Sequence, residues 1–339
     1  MAAKKKTANR YYSGPPSDHF DGALFFNPGG QMPARFTDLL KWQFNGQRSK
    51  WPAASPSPFS QAKPAGRVDG SGLKVTMVGH STLLIQTAGL NILTDPVWSQ
   101  RTSPFSFIGP RRINPPGIAF ADLPPIDLVL VSHNHYDHLD LATLKRLKAA
   151  HDPLLITPLG NDALIGSAVP GMRLTAHDWG ETIEIGKGVS VHVEPAHHWS
   201  ARGAGDRRMA LWAGFVIETP GGKVYFAGDT GFHDGINYRL MAGKHGGFRF
   251  AILPIGAYEP RWFMASQHQN PEEAVHGMVL SNSAFAAGCH WGTFQLTDEP
   301  IGEPAEKLGH ALDAQGIARE RFRPMRPGEA WDVPEPNAS

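Results

Sequence analysis

The chain holds a single cysteine, Cys289, among its 339 residues. One thiol excludes an intrachain disulfide, and with it the stapled architectures of small secreted domains. No stretch approaches the ~18 consecutive apolar residues that a membrane-spanning helix requires. Charge of one sign is also missing. Lys and Arg number 32 against 31 Asp and Glu, a formal net charge of +1. That balance gives no electrostatic footprint for nucleic acid, and none is expected as a partner. Lys4 to Lys6 begin like the basic part of a signal peptide, but Asn9, Arg10, Tyr11 and Tyr12 follow in place of an apolar run. A secretory signal is therefore not expected, and the three lysines read as a solvated tail. These absences fit a cytoplasmic setting, with peripheral contact at the inner face of the membrane left open.

What is present is a folding chain, with 41% hydrophobic and 19% charged residues. It is long enough to bury a core without staples. Residues 1–66 read as an irregular Pro-, Gly- and Ser-rich extension whose Trp42, Phe44, Trp51 and Phe59 suit packing on a main domain, with one short helix near Pro33 to Asn45. The organised domain is expected over 67–339. Lys74–Val78, Thr82–Thr87, Leu90–Thr94, Leu128–Ser132 and Leu154–Thr157 read as strands, and Asp140–Ala150 and Asn161–Gly166 as helices. In the second half, Val189–Glu194, Leu211–Thr219, Lys223–Ala227, Phe250–Pro254 and Ala284–Cys289 read as strands. Pro271–Leu280 opens with proline and two glutamates, as a helix N-terminus does, and Glu303–Gln315 is closed by Gly316. The order implies an α/β fold of two sheets flanked by helices.

Directly after Leu128–Ser132 stands His133-Asn134-His135-Tyr136-Asp137-His138. Imidazole and carboxylate are ligands that zinc accepts. Residues two apart in an extended chain point the same way, so His133 and His135 can grip one ion. Asp137 and His138, on the turn that follows, can reach a second. A His-rich surface loop is the bland alternative. Three further candidates, His198, Asp229 and His290, also follow strands, where α/β folds place chemistry.

The pattern His-x-His-x-Asp-His after a strand resembles the signature of the metallo-β-lactamase superfamily. The resemblance implies a four-layer αββα sandwich and a dinuclear centre. His133, His135 and His198 would hold one ion, Asp137, His138 and His290 the other, and Asp229 would touch both. Two Zn2+ ions are implied. Iron and manganese are not excluded, although the di-iron branch usually has glutamate where His135 stands. Pro195-Ala-His-His-Trp199 departs from the pattern at His197, where glutamine is expected; His198 is the ligand by alignment, and His197 is a conceivable substitute.

Leu93-Thr-Asp-Pro-Val97, Arg101-Thr-Ser-Pro104, Leu123-Pro-Pro-Ile-Asp127, Phe226-Ala-Gly-Asp-Thr-Gly231, Ile255-Gly-Ala-Tyr-Glu-Pro-Arg-Trp-Phe-Met264, Gln267-His268, Pro271-Glu-Glu-Ala-Val275 and His290-Trp-Gly-Thr-Phe294 are together similar to the N-acyl-phosphatidylethanolamine-hydrolysing phospholipase D family, over roughly residues 70–330. That likeness implies hydrolysis of a phospholipid phosphodiester by a metal-bridging hydroxide. Asp137 would be ligand and proton acceptor, and His268 would orient the phosphate or protonate the leaving group. Asp95 would hold a metal-bound histidine, and Gln267 and Arg261 would meet the substrate. For Arg261 a structural ion pair is the competing reading. Ser103 to Gly109 reads as core packing, with a membrane or acyl-chain role as the alternative. Cys289 reads as a small core residue, His80 as structural, and His19, His151, His177, His192, His233, His245, His276 and His310 as ordinary. A lactonase or soluble phosphodiesterase on the same fold is the main rival, and a non-catalytic metal-bound sensor or scaffold the rival of another class. Homo-oligomerisation is open.

Overall fold

The computed structural model describes residues 8–203 and 205–335. Lys4 to Lys6 lie outside them. The extension carries one helix, α1 (Phe36–Asn45). Strands β1 (Leu73–Gly79), β2 (Thr82–Thr87), β3 (Leu90–Thr94), β4 (Leu128–Leu130), β5 (Leu154–Pro158) and β6 (Arg173–His177) build the first sheet. Strands β7 (Thr182–Gly186), β8 (Val189–Glu194), β9 (Gly214–Thr219), β10 (Gly222–Phe226), β11 (Phe248–Pro254), β12 (Ser283–Cys289) and β13 (Phe322–Arg323) build the second. The C-terminal β14 (Ala330–Asp332) returns to the first sheet beside β1, so each sheet has seven strands. Both are mixed: β3 to β6 and β10 to β13 run parallel, and the other pairings are antiparallel.

Parallel neighbours need crossovers, and helices supply most of them. They are α2 (Leu141–His151) and α3 (Asn161–Ala168) on the first sheet, and α4 (Ile236–His245), α5 (Arg261–Met264), α6 (Pro271–Leu280) and α7 (Glu303–Ala314) on the second. Alternation along each strand sorts the side chains between layers. Phe215 and Ile217 of β9 enter the core between the sheets with Ile85, Ile92, Leu128 and Phe250. Val216, between them, faces outward to Tyr238, Met241 and Met278 of α4 and α6. Val129 likewise packs outward on Leu144 and Leu147 of α2. The result is the αββα order expected from the sequence. Each such large side chain contributes about 1.5–3 kcal/mol by leaving water.

Local signals set several boundaries. Asp140 caps α2 through the backbone N–H groups of Ala142 and Thr143. Asn270 and Glu273 form a reciprocal capping box on α6, with Pro271 in its first turn. The strands β6 and β7 escape a sequence reading because they are partly exposed, and Arg173-Leu-Thr-Ala-His177 offers no apolar run. Leu211 to Ala213, expected as strand, lie before β9 and bond instead to Leu159 and Ser132.

The extension lies against the sandwich. Phe20 and Phe25 are buried with Ala196, Leu211 and Trp212. Trp42 stacks on Phe263 with ring centroids 5.2 Å apart and donates to Asp298. Phe44 and Phe59, in contrast, face solvent. The segment Ser103 to Gly109 corrects its expected core packing. A bridge between Arg101 and Arg111 closes its base, and Phe105, Phe107 and Ile108 project outward, 54, 76 and 56% exposed. Phe105 and Phe107 pack on each other rather than on the core.

His19 anchors the extension, with Nδ1 2.6 Å from Asp18 and Nε2 2.7 Å from Asp178. Burial pulls its pKa down, and the hydrogen bonds and charges of Asp178 and Asp18 outweigh burial and raise it above 6.5. A group whose pKa rises on folding stabilises fully below its unfolded value and loses that contribution as pH climbs through the folded value. The gap in thermal midpoint between wild type and His19→Gln should therefore be widest near pH ~5.5 and narrow toward pH ~8.5. A gap that stays constant across that range would contradict the anchoring role.

Candidate metal centre

The candidate ligands all follow strand ends at one edge of the sandwich. His133 comes three residues beyond β4, His198 four beyond β8, Asp229 three beyond β10 and His290 one beyond β12. The turn before Asp229 needs glycine. Gly228 has φ +63, and a Cβ there would lie 2.8 Å from the Ala213 carbonyl oxygen. Asp95, His80 and His290 adopt left-handed backbone conformations, with φ of 34, 58 and 62. Non-glycine residues there cost on the order of 1–3 kcal/mol each, held by the surrounding structure.

The donor atoms form two adjoining clusters. In one, His135 Nδ1 lies 2.9 Å from His133 Nε2 and 3.2 Å from His198 Nε2. In the other, Asp137 Oδ2 lies 3.3 Å from His138 Nε2 and 3.2 Å from His290 Nε2. Asp229 Oδ2 is 3.1 Å from each of those nitrogens. The same oxygen is 3.7 Å from His198 Nε2 and 4.0 Å from His133 Nε2, so Asp229 stands between the clusters. Two ligand atoms sharing a tetrahedral ion at ~2.0–2.1 Å lie roughly 3.3 Å apart, which is the spacing found.

Hydrogen bonds on the far side of each ring fix which nitrogen is free. His138 Nδ1 donates to Asp95 Oδ2 at 2.7 Å. Ser132 Oγ donates to the same carboxylate at 2.6 Å and accepts from His133 Nδ1 at 2.9 Å. His198 Nδ1 donates to the Gln267 carbonyl at 3.0 Å. With those protons placed, Nε2 of His133 and His198 presents a lone pair toward its neighbours, while Nε2 of His138 faces Asp137 and Asp229, which outweigh burial and raise that imidazole well above its ordinary value. His138 Nε2 and Asp229 Oδ1 are buried without a hydrogen-bond partner. Converging lone pairs and carboxylates in a buried site call for a cation, and the donor set fits divalent metals.

The titration behaviour states the same demand. Burial, aided by His138, His135 and His198, holds His133 well below the usual imidazole range, as burial does for His198. Burial also lowers His135 to about 4. Burial opposes ionisation of Asp137 and Asp229, but His138 and His290 outweigh it and keep both carboxyls well below their ordinary values. For His290, burial is overcome by Asp229 and Asp137, which push it up to about 9. The carboxylates thus require positive charge between them, from a proton or a metal ion.

His198, not His197, reaches the centre; the His197 ring stacks on His233 at 3.5 Å. Asp95 does more than hold one histidine, since it reaches His138 directly and His133 through Ser132. Arg261 forms the ion pair that was its competing reading. Its guanidinium is paired with Glu273 at 2.8 Å and donates to the His268 carbonyl, so it is not free for substrate. His80, set aside as structural, lies at the centre with Nε2 2.8 Å from Asp137 Oδ2. Its position on a turn after β1, far from the hexapeptide in sequence, carries no local signal. Gln267 accepts from the Trp199 indole through its side chain and from His198 through its carbonyl. His268 Nδ1 is 3.9 Å from Asp229 Oδ2, and burial lowers that imidazole to about 4. Asn27 of the extension donates to the His198 carbonyl at 3.0 Å. His19, His177 and His245 pair with carboxylates and join no group of candidate ligands among the described residues.

A cavity of about 640 Å3 opens on the centre. His135, Asp137, Asp229, His268 and His290 lie at its floor, and Leu39, Trp42, Phe263, Met264 and Leu296 make its walls apolar. Arg35 and Arg207 are its cations, the latter stacked over Trp199 at 4.3 Å. Ala34 to Trp42 belong to the extension, which therefore forms one wall.

Comparison with known proteins shows the family and the fold. The beta-lactamase superfamily domain matches residues 90–291. The chain is 39% identical over 273 residues to N-acyl-phosphatidylethanolamine-hydrolyzing phospholipase D 1 of Caenorhabditis elegans, covering 78% of this chain and 76% of that protein. It is 38% identical over 283 residues to an uncharacterized protein of Mycobacterium tuberculosis, covering 82% and 74%. Igni18, a metallo hydrolase of Ignicoccus hospitalis, shares the fold with a TM-score of 0.55 at 23% identity, over 77% of this chain and 97% of that one.

Asp95→Ala should remove the orientation of both His133 and His138. Metal affinity is expected to fall about 10–100-fold, as for other partners of metal-bound histidines, measured as metal retained per chain by elemental analysis. Retention at the wild-type level would show that Asp95 is dispensable.

Proposed function

Because the chain belongs to the metallo-β-lactamase superfamily, and within it to the family of N-acyl-phosphatidylethanolamine-hydrolyzing phospholipase D 1, we propose that this metal-dependent hydrolase is a dinuclear zinc phosphodiesterase that cleaves N-acyl-phosphatidylethanolamine-like phospholipids. The observation that carries the lipid reading is the apolar-walled cavity opening directly on the candidate metal centre. A small lactone or sugar phosphate would leave most of those walls in water, whereas acyl chains cover them. Arg35 and Arg207 suit an anionic phosphodiester in the same cavity.

In this reading His133, His135 and His198 hold one ion, and Asp137, His138 and His290 the other, with Asp229 shared. Two bound ions would acidify a shared water and neutralise charge on the phosphoryl oxygens. The chain's own groups do the rest. Asp137, kept ionised by the imidazoles around it, is placed to take the water's proton and pass it on to the leaving alkoxide, which departs as the alcohol. His268, neutral at pH 7 because burial lowers it, orients the phosphate as a neutral ring rather than acting as a standing acid. Gln267 sets the direction of His198 through its carbonyl. The walls exclude bulk water from the reacting centre. Residues 67–339 are the hydrolase domain in this reading, and 1–66 an extension that completes its cavity.

Exposed apolar side chains support peripheral membrane contact. Phe105, Phe107 and Ile108 project from one loop, and Leu40, Phe44 and Trp262 are exposed on α1 and α5, the helices that also line the cavity. No helix among the described residues is long and apolar enough to cross a membrane. A cytoplasmic enzyme resting on the inner leaflet fits both facts.

Mass spectrometry of products from zinc-loaded protein and N-acyl-phosphatidylethanolamine should give N-acylethanolamine and phosphatidic acid, with at least about 100-fold less from His135→Ala. Intact lipid would refute the lipid substrate and direct attention to lactones and soluble phosphodiesters. Phe107→Ser should weaken sedimentation with phospholipid vesicles about tenfold, from roughly 1.5 kcal/mol of lost apolar burial, while hydrolysis of a short-chain soluble analogue stays unchanged. Equal sedimentation of the two proteins would remove this loop from the membrane contact.

A further inference from the structure

His80 stands on the turn between β1 and β2, held from both sides by the loop that carries His290. Its backbone N–H donates to Thr293 Oγ1 at 3.2 Å, and its carbonyl accepts from the His290 N–H at 3.0 Å. The side chain is wholly buried, 4.0 Å from the His290 ring and edge-on to Phe294 at 5.3 Å. Its one polar contact is Nε2 to Asp137 Oδ2 at 2.8 Å. Nδ1 is buried without a partner.

Two roles are open to an imidazole so placed: a further metal ligand, or a hydrogen-bond donor to a ligand. The number of donors and the tautomer separate them. The four atoms of the second cluster lie 3.1 to 3.3 Å from their neighbours, the edge of a tetrahedron around one ion. His80 would be a fifth donor beside those four, and its Nε2 stands at an ordinary hydrogen-bond length from Asp137 Oδ2, 2.8 Å. The tautomer agrees. A proton on Nδ1 would leave a buried donor unmet and set two lone pairs against each other at Nε2 and Oδ2. The proton therefore sits on Nε2.

We propose that His80 is a positioning residue that donates Nε2–H to Asp137 Oδ2 and thereby locks the carboxylate onto the second metal site. This rests on the dinuclear reading above. Asp137 reaches the centre from a short turn, and the other contacts of its Oδ2 are His138 and His290, which would share its ion. Without His80 the carboxylate is free to rotate away from the ion it shares with His138 and His290. The first site, built from His133, His135 and His198, has no contact with His80 and stays intact.

The test is stepwise zinc release from purified full-length holoprotein as a competing chelator is raised, comparing wild type, His80→Ala and His80→Gln. Two equivalents are expected in the wild type. His80→Ala should lose one equivalent at about 10–100-fold lower chelator concentration while the other leaves at the wild-type concentration. His80→Gln, whose amide N–H can reach the same oxygen, should recover most of the loss. A general folding defect would weaken both sites together and would not be rescued by glutamine; circular dichroism and the apo melting temperature of both variants complete that control. The cobalt-substituted spectrum of the second site should keep its ligand-field envelope in His80→Gln, since the ligand set is unchanged. Two equivalents released alike from wild type and His80→Ala would overturn this inference alone. Equal weakening of both sites without glutamine rescue would also overturn it. A single equivalent in the wild type would overturn the dinuclear reading and this inference with it.

Discussion

The carboxylate of Asp95 is the point on which the centre turns. It is wholly buried and accepts from the Ser132 backbone, the Ser132 hydroxyl and His138 Nδ1. Through those contacts it sets the free nitrogen of one histidine in each cluster. Burial raises its pKa, and the donors from His138 and Ser132 oppose that rise. A buried carboxylate so engaged is costly to leave unpaired. The fold supplies its partners by joining β3 and β4 in parallel, which brings Thr94 beside Leu130 and so Asp95 beside Ser132. The Asp95 backbone N–H bonds to Leu130, and its carbonyl accepts from Thr82.

The sandwich explains why one edge carries the chemistry. Parallel strands deliver their C-terminal ends to the same side, and the two sheets face each other across an apolar core. Loops leaving β3, β4, β8, β10 and β12 therefore meet, although they are distant in the chain. Three of the non-glycine residues with left-handed backbone, His80, Asp95 and His290, sit at that meeting place, where packing on both sides over-determines the conformation.

The extension changes the character of the site. The sandwich places polar ligands on the floor of the cavity; Leu39 and Trp42 from α1 meet Phe263 and Met264 from α5 to give it walls. Asn27 reaches the His198 carbonyl and accepts from Trp212, while Phe20 and Phe25 hold the segment down against Trp212. The walls of the cavity and a hydrogen bond to His198 thus both come from a segment that carries none of the candidate metal ligands.

The sequence alone was enough for two sheets flanked by helices, because apolar runs and caps are local signals: β2, β3, β8 and α6 have the bounds expected of them, and the four-layer αββα order came with the resemblance to the superfamily. It was also enough to nominate the hexapeptide, His198, Asp229 and His290, because a ligand type after a strand is a pattern of neighbours. It did not reveal β6, β7 or α4, whose faces are too weakly apolar to read. Whether an isolated polar side chain meets a metal centre, a counter-charge or solvent depends on residues far away in the chain. Tertiary structure alone therefore moved His80 to the centre, tied Arg261 to Glu273, turned Phe105 and Phe107 outward and made the extension a wall. Those four outcomes rest on long-range packing and electrostatics, which leave no periodicity for a sequence to show.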